Sequence, residues 1–375
     1  MFVFFRWGKA LPSANAFDIP AAAAIEFGLS DRTGGVQAHP QVNCQLCGAP
    51  GSVLYESLSD RLFSAPGVWS LRRCQYDKCG LVWLDPQPEP AEIYKLYDGY
   101  YTGSAARPSR PSRRWIKGNI LAALLGYNDG KRTIDRLIGR ALAAVPSVRD
   151  MAASTVLYLR ADWRGRILDV GCGNGVMLKN LQQLGWQISG IDPDPEAVRV
   201  TNELLGPVAT VGGIDSPELT GKFDVITMNH VIEHVPYPVQ TLRECLLRLR
   251  PGGRLVLQTP NVESLGVRAF GQSWIAWDPP RHLHLFSIAT LQRAAEEAGF
   301  QVDEVRTTPR DAHFAWTVSR EIKRRGRAQD VLLRRYAGVL DTIASGVFQL
   351  VEAFSGPKSG EEVVLLARRP GPTSV

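Results

Sequence analysis

The 375 residues, 45% hydrophobic and 21% charged, suffice for one large domain with a small companion or for two medium domains, with the profile of an ordinary globular protein. The formal charge of +6 is too small to argue for nucleic acid by itself, and it suits an anionic substrate or a membrane surface equally well. No stretch reaches the ~18 apolar residues of a membrane span, and MFVFFRWGKA lacks the long apolar region of a signal peptide.

Residues 1–40, rich in Ala, Gly and Pro without a period, are expected to form a poorly ordered tail, with the start codon possibly placed too early. CQLCG at 44–48 is then answered by CQYDKCG at 74–80, with strand-like text between. Cys44, Cys47, Cys74 and Cys79 form the pattern C-x2-C-x26-C-x4-C, and Gly48 and Gly80 follow the second cysteine of each pair. Such knuckles offer four thiolates, the tetrahedral set of a closed structural zinc site without an open position for catalysis. The alternatives are four unligated thiols or two disulfides, and the absence of a secretory signal favours metal and a reducing cytoplasm. Residues 41–103 are therefore read as a zinc ribbon and a following helix, AEIYKLYDGYY.

SAARPSRPSRR at 104–114 reads as a linker, and 115–160 as helical with basic faces, giving a linker and helical segment over 104–160. Arg107, Arg110, Arg113, Arg114 and Lys117 beside Trp115 allow peripheral contact with an anionic membrane or a phosphorylated glycan; a linker helix covering the core is the blander reading. From 166 the rhythm changes to alternating strands and helices: RILDVG, QISGID, VATVGG, FDVITMNH, RLVLQTPN, QVDEVRTT and EEVVLLARR are the strands. This predicts an α/β fold with a doubly wound, seven-stranded Rossmann-like sheet over 161–375 and a helical insertion at about 310–356. The apolar stretch 331–354 is expected to pack on a sheet edge, a second subunit or the acceptor site; the oligomeric state is not legible.

DVGCGNG at 169–175 places three glycines at the carboxyl end of the first strand, where open α/β sheets bind ligands. Asp192, 21 residues past Gly171, ends the second strand and can accept from two ribose hydroxyls. The turn lacks the G-x-G-x-x-G spacing of a dinucleotide fingerprint, and Asp169 before it would repel a pyrophosphate and suit a cation. DVGCGNG, GID, FDVIT, EHV and LRPGGRLVL together resemble the successive motifs of class I S-adenosylmethionine-dependent methyltransferases, over about residues 160–308 plus the last strand. The resemblance implies that Asp169, Gly171, Gly173 and Gly175 face the methionine part of S-adenosylmethionine. It also implies that Asp192 holds the ribose, that Gly213, Ile214 and Asp215 flank the adenine, and that Asn229 and His230 lie beside the sulfonium. Cys172 reads as a small buried residue in the turn.

A zinc ribbon joined to such a core resembles the sugar-modifying methyltransferases of bacterial natural-product and surface-glycan pathways, and certain ribosomal RNA guanine methyltransferases. Only about 115 residues follow the fifth strand, so the extra C-terminal domain of the sugar C-methyltransferases has no counterpart. A hydroxyl acceptor needs a base, and two clusters supply candidates: His230, Glu233 and His234 in NHVIEHV, and Arg281, His282 and His284 in WIAWDPPRHLHLFS. The second resembles a run found in small-molecule and glycan methyltransferases. His282 is accordingly the expected base or acceptor-binding residue, with His230 and Glu233 as further catalytic candidates and Trp274, Trp277 and Arg281 shaping the pocket. The i, i+2 spacing of His282 and His284 predicts that at least one is structural. After the fourth strand MNHV stands where amino-methylating nucleic-acid enzymes carry a Pro-Pro run, which weighs against nucleic acid. The reading is methyl transfer to a hydroxyl of a sugar, glycan or related small metabolite. The alternatives are an RNA methyltransferase gripping RNA with its ribbon and a catalytically inactive zinc-ribbon binding protein.

Overall fold

The structure, a computed structural model, describes residues 32–97, 111–328 and 339–371. Expectations for the first 31 residues, for Arg107 and Arg110, and for 329–338 fall outside the described residues.

The N-terminal part contributes β1 (Ala38–His39), β2 (Gly51–Leu58), β3 (Trp69–Cys74), β4 (Val82–Asp85) and β5 (Gln87–Pro88), then a 3₁₀-helix over Pro90–Tyr97, the described part of the expected helix AEIYKLYDGYY. α1 (Pro111–Leu125) begins inside the expected linker, with Pro at its first position, where the missing N–H costs nothing. α2 (Thr133–Ala143) and α3 (Pro146–Ala153) follow. The expected continuation of α3 to Arg160 fails because Leu157 and Tyr158 turn left-handed, φ 45° and 58°, and swing the chain into the first core strand.

The core comprises β6 (Arg166–Val170), α4 (Val176–Gln183), β7 (Gln187–Asp192), α5 (Pro195–Leu205), β8 (Ala209–Val211), β9 (Phe223–Asn229), α6 (Pro238–Arg248) and β10 (Leu249–Pro260). After it come α7 (Leu265–Phe270), β11 (His284–Leu285), α8 (Ile288–Glu297), β12 (Gln301–Thr308), α9 (Ala312–Arg325), α10 (Val339–Phe354) and β13 (Glu362–Arg368). The main sheet has the order β12-β13-β10-β9-β6-β7-β8, and β13 runs antiparallel to both its neighbours. Successive strands are added to one side of β6 as far as β8 and to the other from β9 on, so the order switches between the parallel β6 and β9, the crevice where such sheets take ligands.

Alternation along the strands separates two layers. Ile167, Val225 and Val256 face α1 and α4 through Leu121, Leu181 and Trp186. Leu168, Val170, Ile226 and Leu257 face α6 and α8 through Leu242, Cys245, Leu291 and Ala295. Local signals start the helices: Asp194 accepts from the amide of Glu196 at the start of α5, and Ser287 with Thr290 forms a capping box on α8.

The ribbon sheet has the order β11-β4-β3-β2, so its fourth strand is His284–Leu285 from the loop after β10. Leu84 N–H also donates to the carbonyl of Leu283 at 3.0 Å. Trp69, Leu71, Leu84, Ile93 and Leu96 share one apolar cluster with Phe270, Trp274, Trp277 and Leu285. The ribbon thus has no core separate from that of the larger domain, as its small size requires.

Candidate functional site

β6 delivers its carboxyl end into a turn in which Gly171, Gly173 and Gly175 all have positive φ, 73°, 54° and 69°. A Cβ on Gly175 would stand 2.9 Å from the Thr201 side chain, so this corner admits no side chain there. Asp192, fully buried at the end of β7, accepts from the amides of Gly173 (Oδ2, 2.8 Å) and Asp194 (Oδ1, 3.0 Å). Burial pushes its carboxyl up to about 7 against the pull of those amides. Asp169 is buried beside it and accepts from Thr227 Oγ1 at 2.8 Å; burial lifts its carboxyl well above the usual range, and the nearby charge of Asp192 adds to the effect. Gly213, Ile214 and Asp215 lie in the turn just after β8, with Ile214 buried and Asp215 exposed. At the end of β9 the Asn229 Oδ1 is buried with no hydrogen-bond partner among the described residues. The sequence-predicted cofactor residues therefore converge on one corner.

Across the β6–β9 crevice, His230 leaves β9 with φ 56°. Its Nδ1 lies 3.2 Å from Glu233 Oε1, and its Nε2 lies 2.6 Å from Glu362 Oε1 and 4.0 Å from Asp311 Oδ2. Glu233 also accepts from Thr259 Oγ1, and Glu362 from Gln258 Nε2. Burial works against the charged imidazole, but Glu362 and Glu233 override it and raise His230 to about 9. Reciprocally, His230 brings Glu233 down to about 2 despite its burial. Arg310 lies 3.7 Å from Glu362 and, with His230, holds that carboxylate below its ordinary value although it is buried. Glu362, Asp311 and Arg310 went unnoticed in the sequence. Only the antiparallel placement of β13 beside β10 brings Glu362 to the end of β9, and no short motif signals that.

The second histidine cluster departs from expectation. His282 is fully buried, its Nδ1 2.7 Å from the carbonyl of Ala276 and its ring edge-on to His234 at 4.7 Å between centroids. It has no surface from which to reach an acceptor. His284 lies in β11 with Nδ1 3.2 Å from the Val235 carbonyl, and burial lowers it to about 4. Both histidines of the run are fully buried in this structure, His282 included, although it was the expected base. His234, lowered to about 3 by burial, lies 3.0 Å from the Tyr97 hydroxyl. Arg281 does not line an open pocket either. It is buried in a triad with Asp60 (2.6 Å) of the ribbon and Asp278 (2.5 Å) of its own loop, and it reaches the Leu96 carbonyl. Asp60 in turn accepts from the amides of Leu62, Phe63 and Ala65. Trp277 Nε1 donates to the Gly271 carbonyl and Trp274 Nε1 to Glu361, so these tryptophans brace the loop from within.

The four ribbon cysteines meet as their spacing predicts. Their sulfurs lie within 4.8 Å of one another, Cys44 to Cys79 at 3.7 Å and Cys47 to Cys74 at 3.3 Å. Four Zn–S bonds of ~2.3 Å set sulfur–sulfur edges of ~3.8 Å, so the donor set fits a zinc ribbon. All six cysteines are free thiols.

A doubly wound sheet with an acid-flanked glycine corner and a carboxylate ending the next strand defines the nucleoside-dependent methyl-transfer class. A family model described as a methyltransferase domain matches residues 135–305. The ubiquinone biosynthesis O-methyltransferase of Xanthomonas euvesicatoria pv. vesicatoria (strain 85-10) is 34% identical over 177 residues, 44% of this chain and 73% of that protein. The protein of the same name from Xanthomonas oryzae pv. oryzae (strain PXO99A) is 37% identical over 135 residues, covering 33% of this chain and 56% of that one. Among solved structures, an S-adenosylmethionine-dependent methyltransferase from Mesorhizobium loti superposes with a TM-score of 0.36 at 17% identity, over 54% of this chain and 90% of that one. The chain belongs to the methyltransferase-domain family and is an S-adenosylmethionine-dependent methyltransferase. No helix among the described residues is long and apolar enough to cross a membrane.

Proposed function

We propose that the enzyme methylates a hydroxyl of a small acceptor, a sugar, glycan or related metabolite, in a reducing cytoplasm. The observation that carries this reading is the His230 imidazole, clamped between Glu233 and Glu362 next to the glycine corner. S-Adenosylmethionine, when bound, supplies an electrophilic methyl. The corner fits it: Asp169 is a buried acid whose cost a cationic group would offset, and Asn229 Oδ1 is a buried acceptor without a partner among the described residues. Asp192 braces the turn and, in this reading, offers its remaining lone pairs to the ribose; Gly171 and Gly173 face the methionine part, and Gly213, Ile214 and Asp215 flank the adenine.

A hydroxyl loses its proton as its oxygen bonds to the methyl carbon, so a base must stand beside it. The His230–Glu362 pair, with Glu362 Oε1 2.6 Å from Nε2, takes up that proton when the ring is neutral, and the imidazolium that results lies between two carboxylates, which stabilise it much as a buried acid does for the histidine of a hydrolase triad. Glu233 holds the ring and does not touch the acceptor. The homologues named for O-methylation of a small molecule agree with this choice of atom. Zinc on Cys44, Cys47, Cys74 and Cys79 would be structural, because four thiolates leave it no open position.

The test is a labelled methyl donor offered with panels of nucleotide sugars, glycans, phenolic metabolites and RNA. Label on an acceptor oxygen, lost in His230→Ala, supports the reading, whereas label confined to RNA or to nitrogen overturns it. Metal analysis of the purified protein should give one zinc per chain, absent from Cys47→Ser.

A further inference from the structure

We infer that α2, α3 and α10 form a face that docks on an anionic lipid bilayer. α3 packs against both α2 and α10, so the three helices are contiguous. Their inner sides are used: Ala143 and Ala152 pack on Ile120 of α1, and Phe348 is buried against Phe270 and Trp316. Their outer sides carry Ile134, Leu137, Met151, Val347, Val351 and Phe354, each half or more exposed, with Phe354 at 75%. Isolated exposed apolar residues need no explanation, but six on three adjoining helices do.

The charges on these helices select the occupant. Every acid whose side chain is described is turned inward: Asp135, Asp150 and Glu352 are all buried. The exposed charges are cations. Arg136 and Arg140 interleave with Ile134 and Leu137 along α2, and Arg132, whose side chain is 80% exposed, precedes them. Apolar residues mixed with arginines, with no exposed acid among the described side chains, suit the boundary between anionic headgroups and acyl chains. A second copy of the chain would set arginine against arginine, and a nucleic acid would leave the aliphatic residues without a partner. The face adjoins the acceptor side of the enzyme, because α10 also carries Gln349, whose amide donates to the Pro309 carbonyl beside Arg310. The inference does not depend on which atom is methylated.

The test is flotation of the full chain with vesicles of phosphatidylcholine alone or with roughly one third phosphatidylglycerol. Binding to the anionic vesicles only, weakened by salt, is the expected result. At about 1 kcal/mol per arginine near such a surface, R136Q/R140Q should lower partitioning roughly 30-fold. V351S/F354S should lower it at low and high salt alike, and both doubles should keep cofactor affinity in solution. Equal binding by these doubles, no binding by the parent chain, a dimer in light scattering that V351S/F354S splits, or stronger retention on RNA than on vesicles would each overturn the inference.

Discussion

At the glycine corner, Asp192 spends both oxygens on main-chain amides, those of Gly173 and Asp194, within one strand–helix–strand unit. On the other side of the crevice, Glu362 reaches a histidine just past the end of another strand, far off in sequence, and a glutamine on a third. The first arrangement is backbone holding a side chain. It tolerates change elsewhere in the chain, because its donors are fixed by the turn itself. The second is side chain holding side chain, and it exists only once the whole sheet has assembled. The glycine corner is therefore built locally and the His230 cluster globally.

Substitutions should separate the halves. His230→Ala is expected to lower kcat by about 10²–10⁴ with cofactor affinity intact, read by single-turnover kinetics and calorimetry; a fall in affinity alone would place His230 on the wrong side of the crevice. Arg281→Met leaves Asp60 and Asp278 buried without their cation and should destabilise the fold by about 3–5 kcal/mol in denaturant titration. Combining it with D60N and D278N should recover much of that loss. Asp192→Ala removes the acceptor of two amides and, at about 1.5–3 kcal/mol for hydrogen bonds to a charged group, should weaken the cofactor by ~10–100-fold with little change in acceptor KM. His282→Ala should change kcat by less than about tenfold while lowering Tm, since the ring is fully buried and packs on His234.

The pH dependence sharpens the same contrast. His230 is raised from 6.5 to about 9, so it is protonated at neutral pH and becomes a base only as pH climbs toward 9. Initial rates should rise through that range and flatten above it, and His230→Ala should erase the rise. Stability runs the other way: the contribution of the charged imidazole between its carboxylates is complete below its unfolded value of 6.5 and is lost as pH rises through about 9. Melting temperatures and rates should therefore move in opposite directions between neutral pH and 9.

What could be read in the sequence follows the same division. The glycine turn, Asp192 and the four cysteines announce themselves because spacing along the chain fixes their geometry. The RHLHLFS run was legible as important, but its place in the ribbon sheet was not, because nothing in its own pattern announces that β11 pairs with β4. Glu362 and Asp60 are ordinary acids in sequence. Their roles come from strand order and from a contact between Asp60 and Arg281 across 221 positions, neither of which a local pattern encodes. Leu157 and Tyr158 end a helix without Gly or Pro, because their burial against the sheet, Leu157 with Ile167 and Val225 and Tyr158 with Val364, outweighs their local preference.

β11 has a consequence for remodelling this enzyme. Two residues from the loop after β10 complete a sheet that otherwise belongs to the ribbon, so the ribbon works as a mould into which that loop is cast. Exchanging the ribbon for a homologous one, with the glycine corner untouched, should recast the course of that loop. Deleting the ribbon would leave the same loop without a template, and its tryptophans open to water.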